Sequence, residues 1–189
     1  MKRLFLIAGL MAAFLLVIIS VSAQKGSFAG TWSLDKAKSQ GLSQRWQGAD
    51  KVTWTVTQDD KTIAIDEKVE GGQPPQGGGG GGAGGGGGMG GGGGRPPAGP
   101  QSYNLDGKEA TSDLNFGQAT GKLTTKATKS GDSLELLRKT AFTGQDGTER
   151  VNTSTRKLSL SGDGKVLTVV YHSEGGRAPV DSTYVFNKQ

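Results

Sequence analysis

The chain has 189 residues, a formal net charge of +5 and no cysteine. Its basic residues are dispersed among acidic ones and form no cluster with interleaved aromatic residues, so nucleic acid is not an expected partner. Without cysteine the chain has no disulfide and no thiolate metal ligand, so its stability must come from burial.

Residues 1–23 have the pattern of a secretory signal peptide. Lys2 and Arg3 precede an uncharged apolar run, and the small residues Val21-Ser22-Ala23 form a cleavage site before Gln24. We therefore expect an exported protein, periplasmic or extracellular, with no stable membrane insertion once the signal is cleaved. The alternative is an uncleaved anchor, although the apolar run is shorter than the ~20 residues that span a bilayer comfortably.

Residues 24–70 are predicted to form the N-terminal part of a β-barrel. Val52, Trp54 and Val56 alternate with threonines, which is the period-two pattern of a strand with one buried face. A turn at residues 59–61 then leads into a strand with the same rhythm.

One short helix is expected after the first strand, near residues 35–47. Asp35 can serve as its N-cap, and Leu42 and Trp46 lie four residues apart. Gly41 weakens the pattern because glycine is a poor helix former.

Residues 71–100 form a glycine- and proline-rich insertion, which holds more than half of the 34 glycines. With few side chains to bury, the insertion is predicted to be a flexible, disordered loop. Its matches to Gly-x-Gly-x-x-Gly lack a following Gly-Lys-Ser/Thr and a strand-to-helix context, so they do not indicate nucleotide binding. The loop is either a neutral expansion or a tether or lid beside a binding mouth.

Residues 101–189 are predicted to complete the same barrel. Short β-rich runs separated by Asp-Gly and similar turns predict strands near residues 101–106, 109–115, 120–129, 133–143, 148–160, 165–173 and 179–187. Short turns favour antiparallel neighbours, and closure removes exposed edges. The predicted fold is therefore all-β, an antiparallel up-and-down meander barrel of about eight to ten strands.

Two segments carry a resemblance to a known superfamily. The run Phe28-Ala29-Gly30-Thr31-Trp32-Ser33-Leu34 resembles the first strand of the calycins, with Gly30 and Trp32 at the Gly-x-Trp positions of lipocalins and fatty-acid-binding proteins. Residues 163–169 and 182–188 are similar to the last hairpin of the fatty-acid-binding type. The chain also resembles small exported bacterial lipocalin-like proteins. The resemblance implies a barrel that binds a small lipophilic or amphiphilic ligand, with Trp32 packed at its base under a cation.

The same resemblance indicates ligand-binding residues. In the fatty-acid-binding relatives an arginine and a tyrosine two apart on the last strand, with a second arginine two strands earlier, hold a ligand carboxylate. Tyr184 matches the tyrosine and Arg156 the second arginine, whereas Ser182 replaces the last-strand arginine. Because a serine cannot replace an arginine fork, this change favours a neutral or hydroxyl-bearing lipophile over a free fatty acid.

Two further residues complete the predicted ligand-binding set. Arg138 shares a strand face with apolar residues, and Trp54 lies on the buried face of its own strand. The simpler alternatives are that Arg156 and Arg138 lie at a solvated face or rim, and that Tyr184 and Trp54 are ordinary core residues.

No residue set indicates catalysis or metal binding. His172 is the only histidine, so a zinc or copper site of the usual composition cannot be built, and no Gly-x-Ser-x-Gly nucleophile elbow is present. Asp66 and Glu67 are adjacent in a strand and therefore face opposite sides. We expect no enzyme, no metal and no cofactor. A solid barrel that serves as a structural or interaction protein of the cell envelope is the alternative to ligand binding, and a hydrolase or isomerase inside the barrel is a third hypothesis.

Overall fold

The computed structural model describes residues 26–71, 99–116, 119–144, 147–176 and 178–189. The expected signal peptide, residues 1–23, and nearly all of the expected glycine-rich loop, residues 71–100, lie outside these ranges. The division of the chain into these segments therefore stays a prediction.

The described residues form ten antiparallel strands in one sheet. The strands are β1 (Gly30–Leu34), β2 (Lys51–Gln58), β3 (Thr62–Glu70), β4 (Gln101–Asn104), β5 (Ala110–Phe116), β6 (Ala119–Ser130), β7 (Ser133–Thr143), β8 (Glu149–Leu160), β9 (Val166–Glu174) and β10 (Val180–Lys188). The order in the sheet is β4-β3-β2-β1-β10-β9-β8-β7-β6-β5, so β1 lies between β2 and β10. The sheet curls into a nearly closed barrel, which confirms the predicted all-β meander.

Local aspartate interactions make the predicted turns. The Asp59 carboxylate accepts hydrogen bonds from the backbone N–H groups of Lys61 at 2.8 Å and Thr62 at 2.7 Å. The hydrogen bond from Lys61 is the main cause of a pKa of Asp59 below its ordinary value. Asp106 makes the same kind of bond to the backbone N–H of Lys108. These bonds span two or three residues, which is why the sequence alone predicts the turns.

The expected helix is present but begins later than predicted. Helix α1 covers Gln44–Gly48, and its N-cap is Ser43, whose side chain accepts a hydrogen bond from the backbone N–H of Trp46. In the described ranges no helix has the length and apolar character needed to cross a membrane.

Residues 35–41 are held away from a helix by the last strand. The Asp35 N–H donates to the Val185 carbonyl at 2.7 Å, and Gln40 and Thr183 exchange two backbone hydrogen bonds. The chain thus continues along β10 after β1 ends. Asp35 and Gln40 are thus fixed to β10, and the Asp35 carboxylate accepts from the backbone N–H of Lys38 in the turn between them, so Asp35 does not cap the helix.

The residues of the N-terminal motif lie against the end of β10. Trp32 is fully buried, and its indole N–H donates to the Phe28 carbonyl at 2.9 Å. The Lys188 ammonium lies 5.2 Å from the centre of the Trp32 ring, a cation–π contact. Gly30 has φ +141°, and a side chain there would begin 3.0 Å from Lys188 Cε, so glycine suits this position.

Substitutions at a buried and at an exposed strand position should differ clearly in their effect on the free energy of unfolding. Leu158→Ala removes a side chain that is 0% exposed and should lower the free energy of unfolding by about 2–5 kcal/mol. Val170→Ala, at an outward site that is 51% exposed, should change it by less than about 0.5 kcal/mol. Urea unfolding followed by tryptophan fluorescence measures both, and equal effects would contradict the described core.

Candidate functional site

The inward-facing side chains change from apolar to polar along the barrel axis. On β8 the fully buried Leu158 is followed at the next inward positions by Arg156 and Ser154. On the neighbouring strand β7, the inward residues pass from Leu136 to Arg138 in the same direction. We call the region around Arg138, Arg156 and Ser154 the polar end of the interior, and it is the candidate site.

Arg156 reaches across the interior to the opposite side of the barrel. Its guanidinium carbon lies 5.4 Å from the centre of the Trp54 ring. Its Nη1 donates to the Gln101 side-chain oxygen at 3.1 Å, and that oxygen also accepts from the Tyr103 hydroxyl at 3.5 Å. Aromatic and amide partners therefore orient the side chain without neutralising its charge. Among the described residues, no carboxylate lies within salt-bridge distance of Arg156.

Arg138 is the diagonal neighbour of Arg156 on the same inward face. In the β7–β8 register, Arg138 pairs with Ser154 and Leu136 pairs with Arg156. Diagonal side chains of this kind come within reach of each other when they are long. Burial lowers the pKa of Arg138 below its ordinary value, and the nearby positive charge of Arg156 lowers it further. Arginine side chains are positively charged at neutral pH, so this part of the interior is cationic.

An aromatic group lies beside the two arginines. Helix α1 places the Trp46 ring 4.7 Å from that of Tyr184, and the Tyr184 ring stacks on Tyr171 at 5.9 Å. Trp54 packs against Phe186 at 4.6 Å. Burial raises the pKa of Tyr184 above its ordinary value, so its hydroxyl keeps its proton and remains a hydrogen-bond donor at neutral pH.

Trp54 combines a core position with an unused donor. It is 1% exposed, and its indole N–H is buried without a hydrogen-bond partner among the described residues. A buried N–H group without an acceptor is uncommon in folded proteins. This donor belongs to the same ring that Arg156 covers.

Glu67 also faces the interior but has other partners. One of its carboxylate oxygens accepts from the Trp46 indole N–H at 3.3 Å and from Arg45 at 3.4 Å. Asp66 next to it is exposed, as the alternation of strand faces predicts. The acid nearest to the aromatic group is therefore paired with Arg45 and not with Arg156.

Ser182 is held by the segment that precedes α1. Its hydroxyl donates to the Gly41 carbonyl at 2.8 Å. Gly41 has φ +68°, and a Cβ on it would lie 2.6 Å from Ser182 Oγ and 2.7 Å from the Asp181 carbonyl oxygen. The backbone at Gly41 therefore packs directly against Ser182, and a side chain on Gly41 would clash there.

The four predicted ligand-binding residues all face the interior. Arg156 contacts Trp54, Arg138 is adjacent to Arg156, and Tyr184 lies in the aromatic group. Their role in binding a ligand stays a prediction. Trp32 and Gly30 lie at the opposite, apolar end.

The sequence did not single out the residues that support this site. Gln101 follows the glycine-rich insertion directly and has no periodic context of its own. Trp46 lies on a helix of five residues, too short for a clear periodic face. Tyr171 was detectable, because it continues the inward alternation of Leu167 and Val169 on β9.

No protein-family model matches the chain, and no curated protein is significantly similar to it. Among solved structures it is similar to the ileal bile acid-binding protein of zebrafish, crystallised with cholic acid, at 12% sequence identity and a TM-score of 0.44. The match covers 86% of this chain and 98% of that protein. The strand order, a ten-stranded antiparallel meander, agrees with the fold that the sequence predicts.

The single histidine lies outside the interior of the barrel. His172 pairs with Asp181 across β9 and β10, with its Nδ1 2.7 Å from an Asp181 carboxylate oxygen and its Nε2 3.1 Å from a Glu174 carboxylate oxygen. The acids bind opposite sides of the ring. In the part of the chain that the structure describes, no group of three or more histidine, cysteine or acidic residues could hold a metal ion.

The His172 contacts predict a pH-dependent effect. Asp181 first, and Glu174 second, raise the pKa of His172 above its ordinary value of 6.5. Because the folded-state pKa is raised, the stabilisation by the protonated ring is complete at pH below the ordinary value and is lost as pH rises through the raised one. Asp181→Asn should lower the pKa of His172, measured by NMR titration of the imidazole protons. An unchanged pKa, or an equal change in the control Asp66→Asn, would contradict the assignment.

Proposed function

We propose that the polar end of the barrel interior binds a small amphiphile with an acidic head group. The head group contacts Arg156, and the apolar part lies against the aromatic group of Trp46, Trp54 and Tyr184. The single observation that carries this proposal is Arg156, an arginine inside the barrel that is oriented by Gln101 and Trp54 and has no acid partner in the described ranges.

An acidic ligand supplies the charge that the interior lacks. Removing a cation from water costs free energy unless a counter-charge or hydrogen bonds replace the lost hydration. Gln101 provides one acceptor, which leaves most of the guanidinium donors of Arg156 for a ligand. Charge-assisted hydrogen bonds between a guanidinium and an acidic group are among the strongest that proteins make.

Arg138 changes the ligand chemistry expected from the sequence. Ser182 in place of a last-strand arginine favours a neutral lipophile, but Arg138 contributes a second cation from β7. The interior therefore suits an anionic head group better than a neutral one. The buried indole N–H of Trp54 is a further donor for the same ligand.

The proposal assigns binding and no catalysis to this barrel. Glu67 is the inward acid nearest to the aromatic group, and its partners Trp46 and Arg45 hold it away from a role as a free general base. A guanidinium is too weak an acid to exchange protons near neutral pH, so arginine is not expected to serve as a general acid here.

The head-group contact is tested with two ligands of the same chain length. Arg156→Met should weaken binding of decanoate by about tenfold or more, because it removes charge-assisted hydrogen bonds. Binding of 1-decanol, which has no charge, should change by less than about threefold by the same reasoning. Displacement of a fluorescent lipid probe measures both affinities, and urea unfolding checks that the variant folds.

Lys157→Met is the matched control for this experiment. Lys157 is the next residue on β8 and is exposed, so its loss removes the same charge outside the barrel. It should leave both affinities unchanged. If Arg156→Met and Lys157→Met have the same effect on decanoate, or if the unaltered protein binds neither ligand, the proposed function is wrong.

We also propose that the barrel acts after export, in the periplasm or outside the cell. The support is the signal-peptide pattern of residues 1–23 in the sequence. Intact-mass measurement of the protein recovered from the export compartment of its host should give a chain that begins at Gln24. A mass that includes residues 1–23 would contradict cleavage.

A further inference from the structure

The polar end holds more positive charge than a head group with a single negative charge neutralises. Arg138 and Arg156 are diagonal neighbours on β7 and β8, and both lie on the inward face. Within the described ranges neither has a carboxylate partner, and Arg138 has no side-chain hydrogen bond. Two adjacent guanidiniums repel each other, so their proximity requires a compensating interaction.

Two buried serines lie in the same inward row as Arg138. The register pairs Arg138 with Ser154 on β8, and Ser154 with Ser173 on β9. Each serine is only 9% exposed. Among the contacts of the described residues, neither hydroxyl makes a side-chain hydrogen bond, so both remain available as donors.

The side chains of these two arginines and two serines form a cluster of hydrogen-bond donors. Two guanidiniums and two hydroxyls line one side of the polar end, and Glu67 is engaged by Trp46 and Arg45. A carboxylate has one negative charge and two oxygens in one plane. A phosphate monoester has three terminal oxygens in a tetrahedral arrangement and close to two negative charges at neutral pH or above, so it matches both the charge and the number of donors.

We infer that Arg138, with Ser154 and Ser173, makes this site selective for an amphiphile whose head group is a doubly charged phosphate monoester. This inference rests on the proposed function, in which Arg156 contacts an acidic head group. Arg138 then acts as the specificity-determining residue, because it provides the second cation. The head group that this site requires is a tetrahedral oxyanion with two negative charges. Because the aromatic group lies beside the arginines, we expect this oxyanion to carry an apolar chain.

The test compares ligands that share a ten-carbon chain. At pH 8, where a phosphate monoester is doubly charged, decyl phosphate should bind the unaltered protein about tenfold or more tightly than decanoate. Arg138→Met should reduce this ratio to about threefold or less, while it weakens decanoate by no more than about threefold, because Arg156 remains. Affinities come from displacement of the same fluorescent lipid probe.

Two further variants control for charge and for folding. Lys139→Met removes a charge from the next residue on β7, which is exposed, and should leave the ratio unchanged. The double variant Ser154→Ala, Ser173→Ala keeps both arginines and should weaken decyl phosphate by about fivefold with little effect on decanoate, because only the tetrahedral head group reaches the hydroxyls. This variant tests the inference even if Arg138→Met does not fold.

Two further ligands test the charge of the head group and the need for an apolar chain. Decyl sulfate is tetrahedral with one charge, so affinity equal to that of decyl phosphate would overturn the requirement for two charges. Inorganic phosphate should displace the probe only at far higher concentrations than decyl phosphate. Displacement by both at the same concentration would assign the site to free phosphate and overturn the amphiphile.

The two proposals fail in different ways. If decanoate binds in an Arg156-dependent manner and decyl phosphate binds no better, the preference for a phosphate monoester is wrong and the proposed function stands. If no decyl ligand binds the unaltered protein, both are wrong.

Discussion

Pairing between the first and last strands is the constraint on which the rest of the structure depends. β1 hydrogen bonds to β2 on one side and to β10 on the other, so the run β4-β3-β2-β1 and the run β10-β9-β8-β7-β6-β5 become one sheet. Without this pairing the strands would form two separate sheets and there would be no enclosed interior. Residues 35–41 extend the contact along β10 and bring Trp46 onto the aromatic group.

The barrel separates the residues that stabilise it from those of the candidate site. At the end near Trp32, large side chains such as Leu158 and Phe186 are fully buried, and each contributes roughly 1.5–3 kcal/mol through burial. Two residues from Leu158 on β8 and two residues from Leu136 on β7, the next inward positions hold Arg156 and Arg138. A barrel with one solid apolar end can accommodate uncompensated charge at the other, because the unfavourable desolvation is confined to a few residues.

The second arginine of the interior lies on β7 and not on β10. On β10, the backbone at Gly41 packs on Ser182, and the Ser182 hydroxyl donates to the Gly41 carbonyl. On β7, Arg138 lies next to Arg156. The positive charge of the interior is therefore concentrated on β7 and β8, opposite the strands that carry Trp54 and Gln101.

The sequence by itself determined the strands, most of their turns and the buried face of Trp54, because period-two alternation and aspartate turns depend on residues close together in the chain. It left open whether Arg138 and Arg156 face the interior or a solvated rim. It did not determine the start of α1, the partners of Arg156 or the adjacency of the two arginines. Arg156 and Gln101 are 55 residues apart, and free backbone groups of β10 compete with the helix for residues 35–41. Only the tertiary structure decided these features, because strand register and the curl of the sheet set which distant side chains meet, and alternation within one strand does not specify either.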